Sequence, residues 1–487
     1  MTKTASILDT FPEYEVTIGM EVHVQLTTKT KIFCSCANVI SKDPNTNICN
    51  VCAGYPGSLP VLNKDVITCG ILAGLATHST IATICSFDRK HYFYPDLPKG
   101  YQITQQYDPI CRAGYVPIRL EDGSIKHIHL TRIHIEEDAG KNIHSSMSNE
   151  SFVDLNRAGT PLLEIVSEPD ISSAYETKAY LKALRAIVQH LAICSGNMEE
   201  GAFRADTNIS VRKKGATELG TKCELKNINS FKFIGDAVEY EIERQIMLLK
   251  NGGTVRQETR LWDSKERCSV IMRTKEEAAD YRFFEDPDLP HIHISSQEVE
   301  SIKQSMPEMP FAKFDRFCSQ LGLTPYEAEI LVEDKDLASY FDQAMLHTQS
   351  KQLINWVLRD IMGYLKENKV LLGECKVTPE KLASIMNMVD AGTINGSAAK
   401  KIFELVAHTG HDPKELVKEQ GLEQIGSVDE LEKIVQEVIA QNPTQVEQYK
   451  QTRNERMFGF FVGKAMQKTQ GKGNPAVFTE LFLKLMQ

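Results

Sequence analysis

The chain has 487 residues, of which 42% are hydrophobic and 25% are charged, and this composition is ordinary for a globular protein. Its length is enough for about two to four domains. The net charge of −10 argues against a general nucleic-acid coat, because binding to phosphates requires positive charge. No apolar run reaches the ~20 residues that span a bilayer, and the first residues lack the pattern of a secretory signal. We therefore expect a cytoplasmic protein without a membrane segment.

The first predicted strand alternates strictly between two kinds of residue. In the segment 16–26 every even position is apolar, and every odd position is polar or glycine. Because successive side chains of a strand point to opposite faces, Glu21, His23 and Gln25 are expected to project from one face.

Two later segments repeat this pattern, and their polar residues are Arg204, Asp206, Asn208 and Ser210 in the first and Lys222, Glu224 and Lys226 in the second. A single polar-faced strand is usually just exposed to solvent. Three such strands with mixed charges predict one sheet face that forms a reactive, concave floor.

Four of the twelve cysteines stand in two close pairs, namely Cys34 with Cys36 and Cys49 with Cys52. Two thiol pairs separated by a loop can close a tetrahedral sulfur site, which suits zinc. Four free thiols that happen to lie near one another are the alternative. A zinc ion held by four protein ligands would be structural, because it has no open position for catalysis.

No phosphate-binding P-loop and no dinucleotide fingerprint occurs in the sequence. Any nucleotide phosphates must then be held through a metal and carboxylates, and Mg²⁺ prefers oxygen ligands. Glu21 and His23 share a predicted strand face, and Glu164 lies in an apolar run where an ionised carboxylate needs a partner. The acidic run 136–138 is a further candidate, although it could be a solvated turn.

The segment 89–101 mixes cationic and aromatic side chains. Arg89 and Lys90 could bind phosphates, and Tyr92 could stack on a base or a ribose. An aromatic core loop is the alternative, and the charged residues beside the aromatic ones favour the functional interpretation.

Helical periodicity changes along the chain. Up to about residue 295, helical segments at 63–77, 172–193 and 232–250 lie between alternating segments. Beyond residue 300, apolar residues recur at helical spacing in segments 324–347, 351–366, 378–388, 396–407, 428–441 and 443–469. These patterns predict an α+β domain over 1–295 with a cysteine loop at 34–52, a helical domain over 296–409 and a small helical tail over 410–487.

The tail is basic although the chain is acidic. Residues 440–487 contain seven Lys or Arg residues and three acidic residues. This local charge of +4 favours contact with a nucleic acid, and a solvated helical surface is the alternative. Ser427 and Glu430 have the spacing of a capping box that opens a helix.

Taken together, these segments resemble one known family over the whole chain. The segments 18–24, 88–96, 136–141, 154–170, 204–208 and 224–231 are similar, in order and spacing, to the B subunit of the tRNA-dependent amidotransferase. This resemblance implies a mixed-sheet cradle domain with an inserted zinc knuckle, followed by an all-α helical domain and a small YqeY-like tail that contacts tRNA.

The resemblance also implies an activity. A B subunit of this family uses Mg²⁺ and ATP to phosphorylate the side-chain carboxylate of Glu-tRNA(Gln) or Asp-tRNA(Asn). Ammonia from glutamine hydrolysis in an amidase A subunit then displaces phosphate, and a small C subunit completes a heterotrimer. The residues that the resemblance assigns to Mg²⁺ and to catalysis are Glu21, His23, Glu137 and Glu164.

We expect the nucleotide to contact Arg89, Lys90, Tyr92, Arg204, Asp206, Asn208 and Lys226. Strict alternation would group His134 with Glu136 and would place Glu137 on the opposite face. A bulge or a strand end at Glu136 would reconcile Glu137 with the family pattern, and we therefore expect one there.

Two other functions fit the same residues. One is a zinc-containing tRNA-binding module without chemistry, and the other is an amide ligase that acts on a free small acid. Nucleotide binding that requires a divalent metal would exclude the first. Dependence on aminoacyl-tRNA would exclude the second.

Overall fold

The structure, a computed structural model, describes residues 7–144, 149–274, 280–424, 428–452, 455–469 and 472–486. The chain divides into two compact units, Met1–Gln320 and Leu321–Gln487. All described strands lie in the first unit, and the described elements of the second unit are helical. The mixed α/β character of the first part and the helical character of the second are therefore confirmed. No helix in these ranges is long and apolar enough to cross a membrane.

The first unit is built on one large sheet. Its strands and those of three smaller sheets are β1 (Tyr14–Gln25), β2 (Thr80–Ile81), β3 (Ile84–Cys85), β4 (Asp88–His91), β5 (Tyr101–Thr104), β6 (Cys111–Arg112), β7 (Tyr115–Arg119), β8 (Ile125–Glu137), β9 (Lys141–His144), β10 (Ser151–Asp154), β11 (Pro161–Ser167), β12 (Phe203–Lys213), β13 (Cys223–Lys226), β14 (Glu258–Asp263), β15 (Cys268–Thr274), β16 (Phe284–Glu285) and β17 (Ile292–His293). The ten-stranded sheet has the order β15-β14-β13-β12-β1-β11-β8-β6-β2, and β7 pairs with β8. Its pairs are antiparallel except that β13 and β14 are parallel.

Strand β1 lies in the interior of this sheet, between β11 and β12. Its even positions are buried and its odd positions are half-buried along its whole length. The predicted alternation is therefore confirmed. Val22 and Val24 are fully buried in the core, whereas Glu21 and His23 lie on the other face of the sheet.

The helices of the first unit are α1 (Ile7–Thr10), α2 (Lys64–Ala76), α3 (Ala174–His190), α4 (Phe231–Lys250), α5 (Ser296–Gln304) and α6 (Pro310–Ser319). Helices α3 and α4 bury side chains such as Leu181 and Val238 in the same core as the apolar face of β1. Each begins at a serine, Ser173 or Ser230, whose hydroxyl accepts a hydrogen bond from a backbone N–H of the first turn. These helices therefore cover the apolar face of the sheet.

The second unit contains α7 (Pro325–Glu333), α8 (Lys335–Met345), α9 (Leu353–Asn355), a π-helical turn (Trp356–Ile361), α10 (Met362–Asn368), a 3₁₀ turn (Leu372–Glu374), α11 (Pro379–Asp390), α12 (Gly396–Thr409), α13 (Pro413–Glu419), α14 (Val428–Gln441), α15 (Pro443–Thr452), α16 (Glu455–Lys468) and α17 (Pro475–Leu485). The predicted segment 324–347 is two helices, because Asp334 ends α7 and its carboxylate caps the first turn of α8. The segment 443–469 is likewise divided between α15 and α16. Ser427 lies outside the described residues.

The first unit extends beyond the predicted boundary at residue 295. Helices α5 and α6 follow that point, and Val299, Ile302 and Met309 pack against the core of the first unit. The second unit then begins at Leu321. The division into three domains stays a prediction.

Candidate functional site

Two histidines and two glutamates from three neighbouring strands meet on the polar face of the sheet. In the strand register, His23 of β1 lies opposite Glu164 of β11, which in turn lies opposite His134 of β8. His23 Nε2 is 3.4 Å from Glu164 Oε2 and 3.4 Å from Glu136 Oε1. His134 Nε2 lies 3.2 Å from the same Glu164 oxygen. We call His23, His134, Glu136 and Glu164 the histidine–carboxylate cluster.

Opposite charges and burial compete in this cluster. Burial by itself lowers the pKa of His23, but the hydrogen bond to Glu164 and the charges of Glu164 and Glu136 raise that pKa to about 9. Burial raises the pKa of Glu164, but His134 and His23 outweigh it, and the pKa lies well below the ordinary value. Burial and the charge of Glu164 raise the pKa of Glu136. The two histidines therefore stabilise the charge of Glu164 more than that of Glu136.

A second group of carboxylates lies beside the first on the same face. Glu21, Asp206 and Glu224 can bring one oxygen each within 4.8 Å of one another, and we call them the acidic triad. Lys226 Nζ donates to Asp206 and, at 3.0 Å, to Glu224. Burial, followed by the charges of Glu164, Asp206 and Glu224, raises the pKa of Glu21. Such a group gains stability from a cation.

The cluster and the triad have the donor sets that a hard divalent cation uses. His23, Glu136 and Glu164 can also bring one ligand atom each within 4.8 Å of one another. Carboxylate oxygens suit Mg²⁺, whereas an imidazole nitrogen is more typical of transition metals, so His23 is the least usual ligand of this set. Three of the four predicted Mg²⁺ ligands, Glu21, His23 and Glu164, therefore lie on this floor.

Glu137, the fourth predicted ligand, lies on the other face of β8. Its carboxylate accepts hydrogen bonds from Lys99 Nζ and, at 2.9 Å, from the backbone N–H of Ile103. No bulge occurs at Glu136, because β8 pairs regularly with β11 through Glu136 and Glu137, and the strand ends one residue later than expected, at Glu137. Strict alternation therefore holds, and it places Glu136 in the cluster.

The sequence pattern singles out Glu136 only within the acidic run 136–138 and Glu224 only as part of a polar strand face, and it assigns no role to His134. The signal for the first two was the alternation of 133–136, which points His134 and Glu136 to one face. Glu224 has the same signal within the short alternating segment 221–226. In each case the period of the strand was more informative than the local density of acidic residues.

Asp138 connects the cluster to its surroundings. Its carboxylate oxygen Oδ2 accepts hydrogen bonds from Gln25 Nε2 at 3.0 Å and from Arg204 Nη2 at 2.9 Å. Arg204, predicted to contact the nucleotide, is therefore held beside the cluster. Asn208 Nδ2 donates to Glu21 at 3.1 Å, so that it positions a carboxylate of the triad.

The three predicted nucleotide residues of the 89–101 segment have different surroundings. Arg89 Nε donates to Asp286 at 2.9 Å and Arg89 Nη2 to Asp288 at 2.8 Å. The Arg89 guanidinium therefore bonds two carboxylates of the protein itself. Lys90 Nζ lies 4.9 Å from the ring centre of Tyr281. Burial, followed by the charges of Glu136 and other nearby carboxylates, raises the pKa of Tyr92, so Tyr92 lies close to the cluster.

The four predicted zinc ligands come together in a separate place. Cys52 Sγ lies 4.0 Å from Cys36 Sγ and 3.8 Å from Cys49 Sγ, and Cys34 completes a group within 4.8 Å. Four sulfurs at zinc–sulfur distances of about 2.3 Å would lie about 3.8 Å apart in a tetrahedron. The donor set therefore fits zinc.

A buried lysine next to these thiols supports the same interpretation. Lys31 is 1% exposed, and its Nζ donates to the carbonyl of Asn47 at 2.9 Å and lies 3.7 Å from Cys52 Sγ. Within the described ranges it has no carboxylate partner. An ammonium group buried without an anion is costly, and thiolates bound to a metal would supply the missing negative charge.

Comparison with known proteins is consistent with both groups of residues. The sequence matches the family described as the GatB/GatE catalytic domain over residues 16–300, which contain the cluster, the triad and the four cysteines. It matches the family described as the GatB domain over residues 339–486. The fold and the site thus define a catalytic subunit of the GatB class.

Full-length relatives specify the family further. The chain is 50% identical to the B subunit of the aspartyl/glutamyl-tRNA(Asn/Gln) amidotransferase of Geotalea daltonii, with 98% of this chain and all of the relative covered. Its counterpart from Syntrophotalea carbinolica is 49% identical (97% and 98% covered), and that from Persephonella marina is 47% identical (98% and 100% covered). The chain therefore belongs to the family of amidotransferase B subunits, which are carbon–nitrogen ligases of translation.

The raised pKa of His23 predicts a specific dependence of stability on pH. In the chelator-treated chain, the stabilising charge on His23 is fully present below the unfolded pKa of about 6.5 and is lost as the pH rises through about 9. We expect the stability advantage of the wild type over His23→Gln to fall by up to about 3 kcal/mol across this window. Thermal unfolding of both proteins at a series of pH values measures this difference in stability.

The exposed His144 supplies the control. His144→Gln should show little difference from the wild type across the same pH range. A wild-type advantage over His23→Gln that grows with rising pH would contradict the assigned interaction.

Replacement of Lys31 tests its role beside the four thiols. Lys31→Met should hold less zinc per chain and release it faster than the wild type, because the buried negative charge loses its compensating cation. Metal analysis and the rate of zinc transfer to a coloured chelator measure this. Lys29→Met is the control, since Lys29 is exposed two residues earlier. Equal zinc content and release rate in the two variants would refute the role of Lys31.

Proposed function

We propose that this chain phosphorylates the side-chain carboxylate of Glu-tRNA(Gln), Asp-tRNA(Asn) or both, with Mg²⁺ and ATP, and then forms the amide. In the first step, a carboxylate oxygen of the substrate attacks the γ-phosphorus of ATP and ADP leaves. In the second, ammonia attacks the carbonyl carbon and inorganic phosphate leaves. Activation is required because a carboxylate is a poor electrophile, whereas phosphate is a good leaving group.

The observation that carries this proposal is the adjacency of the histidine–carboxylate cluster and the acidic triad on one sheet face. Phosphoryl transfer depends on positioning and on stabilisation of charge around the transferred group. A protein without a P-loop needs metal ligands to provide this. Bound Mg²⁺ would neutralise the phosphate oxygens and orient them.

Individual residues would take distinct roles at this floor. His23, Glu136 and Glu164 would hold one Mg²⁺, and Glu21 would hold another together with the remaining triad carboxylates. Metal ions held by these residues would stabilise the negative charge that develops on the attacking and leaving oxygens. Arg204 and Lys226, both at the floor, would contribute positive charge toward the phosphates. Glu137 stays a predicted ligand, and it would bind the metal only after its ion pair with Lys99 is broken.

The names of the relatives support the further components. Each relative is one component of an amidotransferase of tRNA(Asn) or tRNA(Gln). We infer that this chain works in a heterotrimer with an amidase A subunit, which supplies ammonia, and a small C subunit. We also propose that the four cysteines hold a structural zinc and that the helical tail contacts tRNA.

The release of phosphate tests the reaction and separates the rival functions, because phosphate is released only after the acyl-phosphate of the first step has formed. The chain is purified with its A and C subunits and mixed with Mg²⁺ and ATP, with or without misacylated tRNA. Release that requires charged tRNA supports the proposal. Release with free glutamate alone would favour a small-acid ligase, and no release at all would favour a binding module without chemistry.

Substitution of Glu164 separates chemistry from RNA binding. Glu164→Gln should abolish ATP-dependent phosphate release, by at least about a hundredfold, because it removes the charge that two histidines and a cation share. Its affinity for tRNA, measured by filter binding, should be unchanged. Glu168→Gln is the control, since Glu168 follows β11 and bonds Thr131 outside the cluster. Near-normal turnover of Glu164→Gln would refute the site.

Removal of the tail tests the proposed contact with tRNA. The helices α14 to α17 form a core of their own that includes Val435, Phe461 and Phe482, so a chain ending near residue 427 should retain the rest of the fold. We expect its KM for tRNA to rise severalfold, with little change in turnover at saturation, because the basic charge is lost.

A charge variant provides the matched control for the truncation. Replacement of Lys464 and Lys484 by Gln leaves the tail core intact, and it should raise the KM in the same direction but by less. Equal tRNA affinity with and without the tail would contradict its role.

A further inference from the structure

One turn lies between the four-cysteine loop and the histidine–carboxylate cluster. It spans residues 154–160 and leads directly into β11, which carries Glu164. We call it the 154–160 turn, and we call residues 34–52 the cysteine loop. The contacts of this turn on its two sides show how the two sites are connected.

On one side, the cysteine loop is hydrogen-bonded to the turn and to the strand residue before it. Asn45 donates through its backbone N–H to Asp154 Oδ1 at 3.2 Å and through its side chain to the carbonyl of Val153 at 2.8 Å. Asn45 Oδ1 accepts from the backbone N–H of Leu155 at 2.8 Å. One residue of the loop therefore bonds three consecutive residues.

Asn156 makes the reciprocal contacts from the turn. Its Oδ1 accepts from the backbone N–H of Asn47 at 2.8 Å, and its Nδ2 donates to the carbonyl of Asp43 at 2.7 Å. Asn156 is only 6% exposed. Its amide thus bonds two backbone groups of the cysteine loop away from water, where an unmade hydrogen bond is costly.

The turn also comes near the cysteine loop at Gly159. This residue has φ = +80°, which favours glycine, and a Cβ placed there would lie 3.5 Å from Cys52 Cβ and 3.7 Å from Lys31 Cδ. The backbone N–H of Ile32 donates to the Gly159 carbonyl at 2.9 Å. The turn therefore lies next to a predicted zinc ligand and its neighbouring lysine.

On the other side, the same turn holds the end of β8. Gly159 N–H donates to the Asp138 carbonyl at 3.0 Å, and Asp138 N–H donates to the Thr160 carbonyl at 2.8 Å. Arg157 donates to the carbonyls of Ala139 at 2.9 Å and Gly140 at 2.6 Å. Since Asp138 also holds Gln25 and Arg204, the turn sets the position of residues on the floor of the site.

We propose that the 154–160 turn couples metal occupancy at the four cysteines to cation binding at the histidine–carboxylate cluster, with Asn156 as its positioning residue. A metal-bound cysteine loop presents Asp43, Asn45 and Asn47 in fixed geometry. The turn bonded to them holds the end of β8 and the entrance of β11, and hence Glu136 and Glu164. Loss of the metal from the four cysteines weakens this series of hydrogen bonds and thereby weakens cation binding at the histidine–carboxylate cluster. The inference rests on the zinc and Mg²⁺ sites of the proposed function.

The test compares cation binding with and without zinc in the wild type and in Asn156→Ala. Binding of Mn²⁺ in place of Mg²⁺ is followed by electron paramagnetic resonance, and the Mg²⁺ dependence of phosphate release is measured on the same complexes with the A and C subunits. Removal of zinc from the wild type should weaken Mn²⁺ binding about tenfold. Asn156→Ala should keep its zinc and bind Mn²⁺ about as weakly as the wild type without zinc. Removal of zinc from Asn156→Ala should weaken its Mn²⁺ binding no further.

Two further variants make this comparison specific. Thr46→Val removes a hydrogen bond to Asp43 inside the cysteine loop and none to the turn, so it should behave as the wild type. Asn156→Asp keeps the acceptor for Asn47 and loses the donor to Asp43, so its Mn²⁺ affinity should be intermediate. If Asn156→Ala does not fold, Asn45→Ala takes its place, because Asn45 is exposed and bonds the same segment.

The outcomes distinguish this inference from the proposed function. Removal of zinc that weakens Mn²⁺ binding equally in the wild type and in Asn156→Ala would overturn the coupling through the turn. Wild-type protein that contains no zinc when it is purified would overturn the coupling as well. If phosphate release fails but the Mn²⁺ affinities of the wild type and Asn156→Ala, with and without zinc, change as expected, the coupling stands and the proposed reaction is wrong.

Discussion

The site depends on the antiparallel pairing of β1 with β11 on one side and β12 on the other. This register places His23 opposite Glu164 and Glu21 opposite Asp206. Like charges that lie directly opposite each other destabilise a sheet, so the pairing of Glu21 with Asp206 requires a cation, which Lys226 supplies in part. A slip of β1 by one residue would turn Glu21 and His23 into the core. The apolar face of β1 therefore determines the geometry of the polar face.

Two chemically different sets of metal-binding side chains lie in the same unit. The cysteine loop offers four sulfurs, which favour a soft or borderline ion and leave no open position. The sheet floor offers carboxylates, which favour a hard cation that can also bind a substrate oxygen, together with two imidazoles. The 154–160 turn contacts the cysteine loop directly and leads to Glu164, so a structural role for the first set and a reactive role for the second are compatible within one fold.

Much of the site could be predicted from periodicity. Alternation along 16–26 placed Glu21 and His23 on one face, and the structure shows this. Alternation along 133–136 indicated Glu136 as well, but the family resemblance favoured Glu137, which instead bonds Lys99. Arg89 had the composition of a phosphate ligand, yet it bonds two aspartates from a distant part of the chain. Contacts between residues so far apart in sequence leave no local pattern.

The sequence by itself determined the membership of the family, the period of each strand and the helical second part, because these depend on short-range order in the chain. It also determined the spacing of the four cysteines. The tertiary structure alone decided which carboxylates lie close enough to share a cation, that Lys31 is buried beside the thiols, and that Asn156 joins the cysteine loop to the turn. Those relations depend on strand order, on register and on contacts between distant segments, such as that of Asn156 with Asn47, which are 109 positions apart.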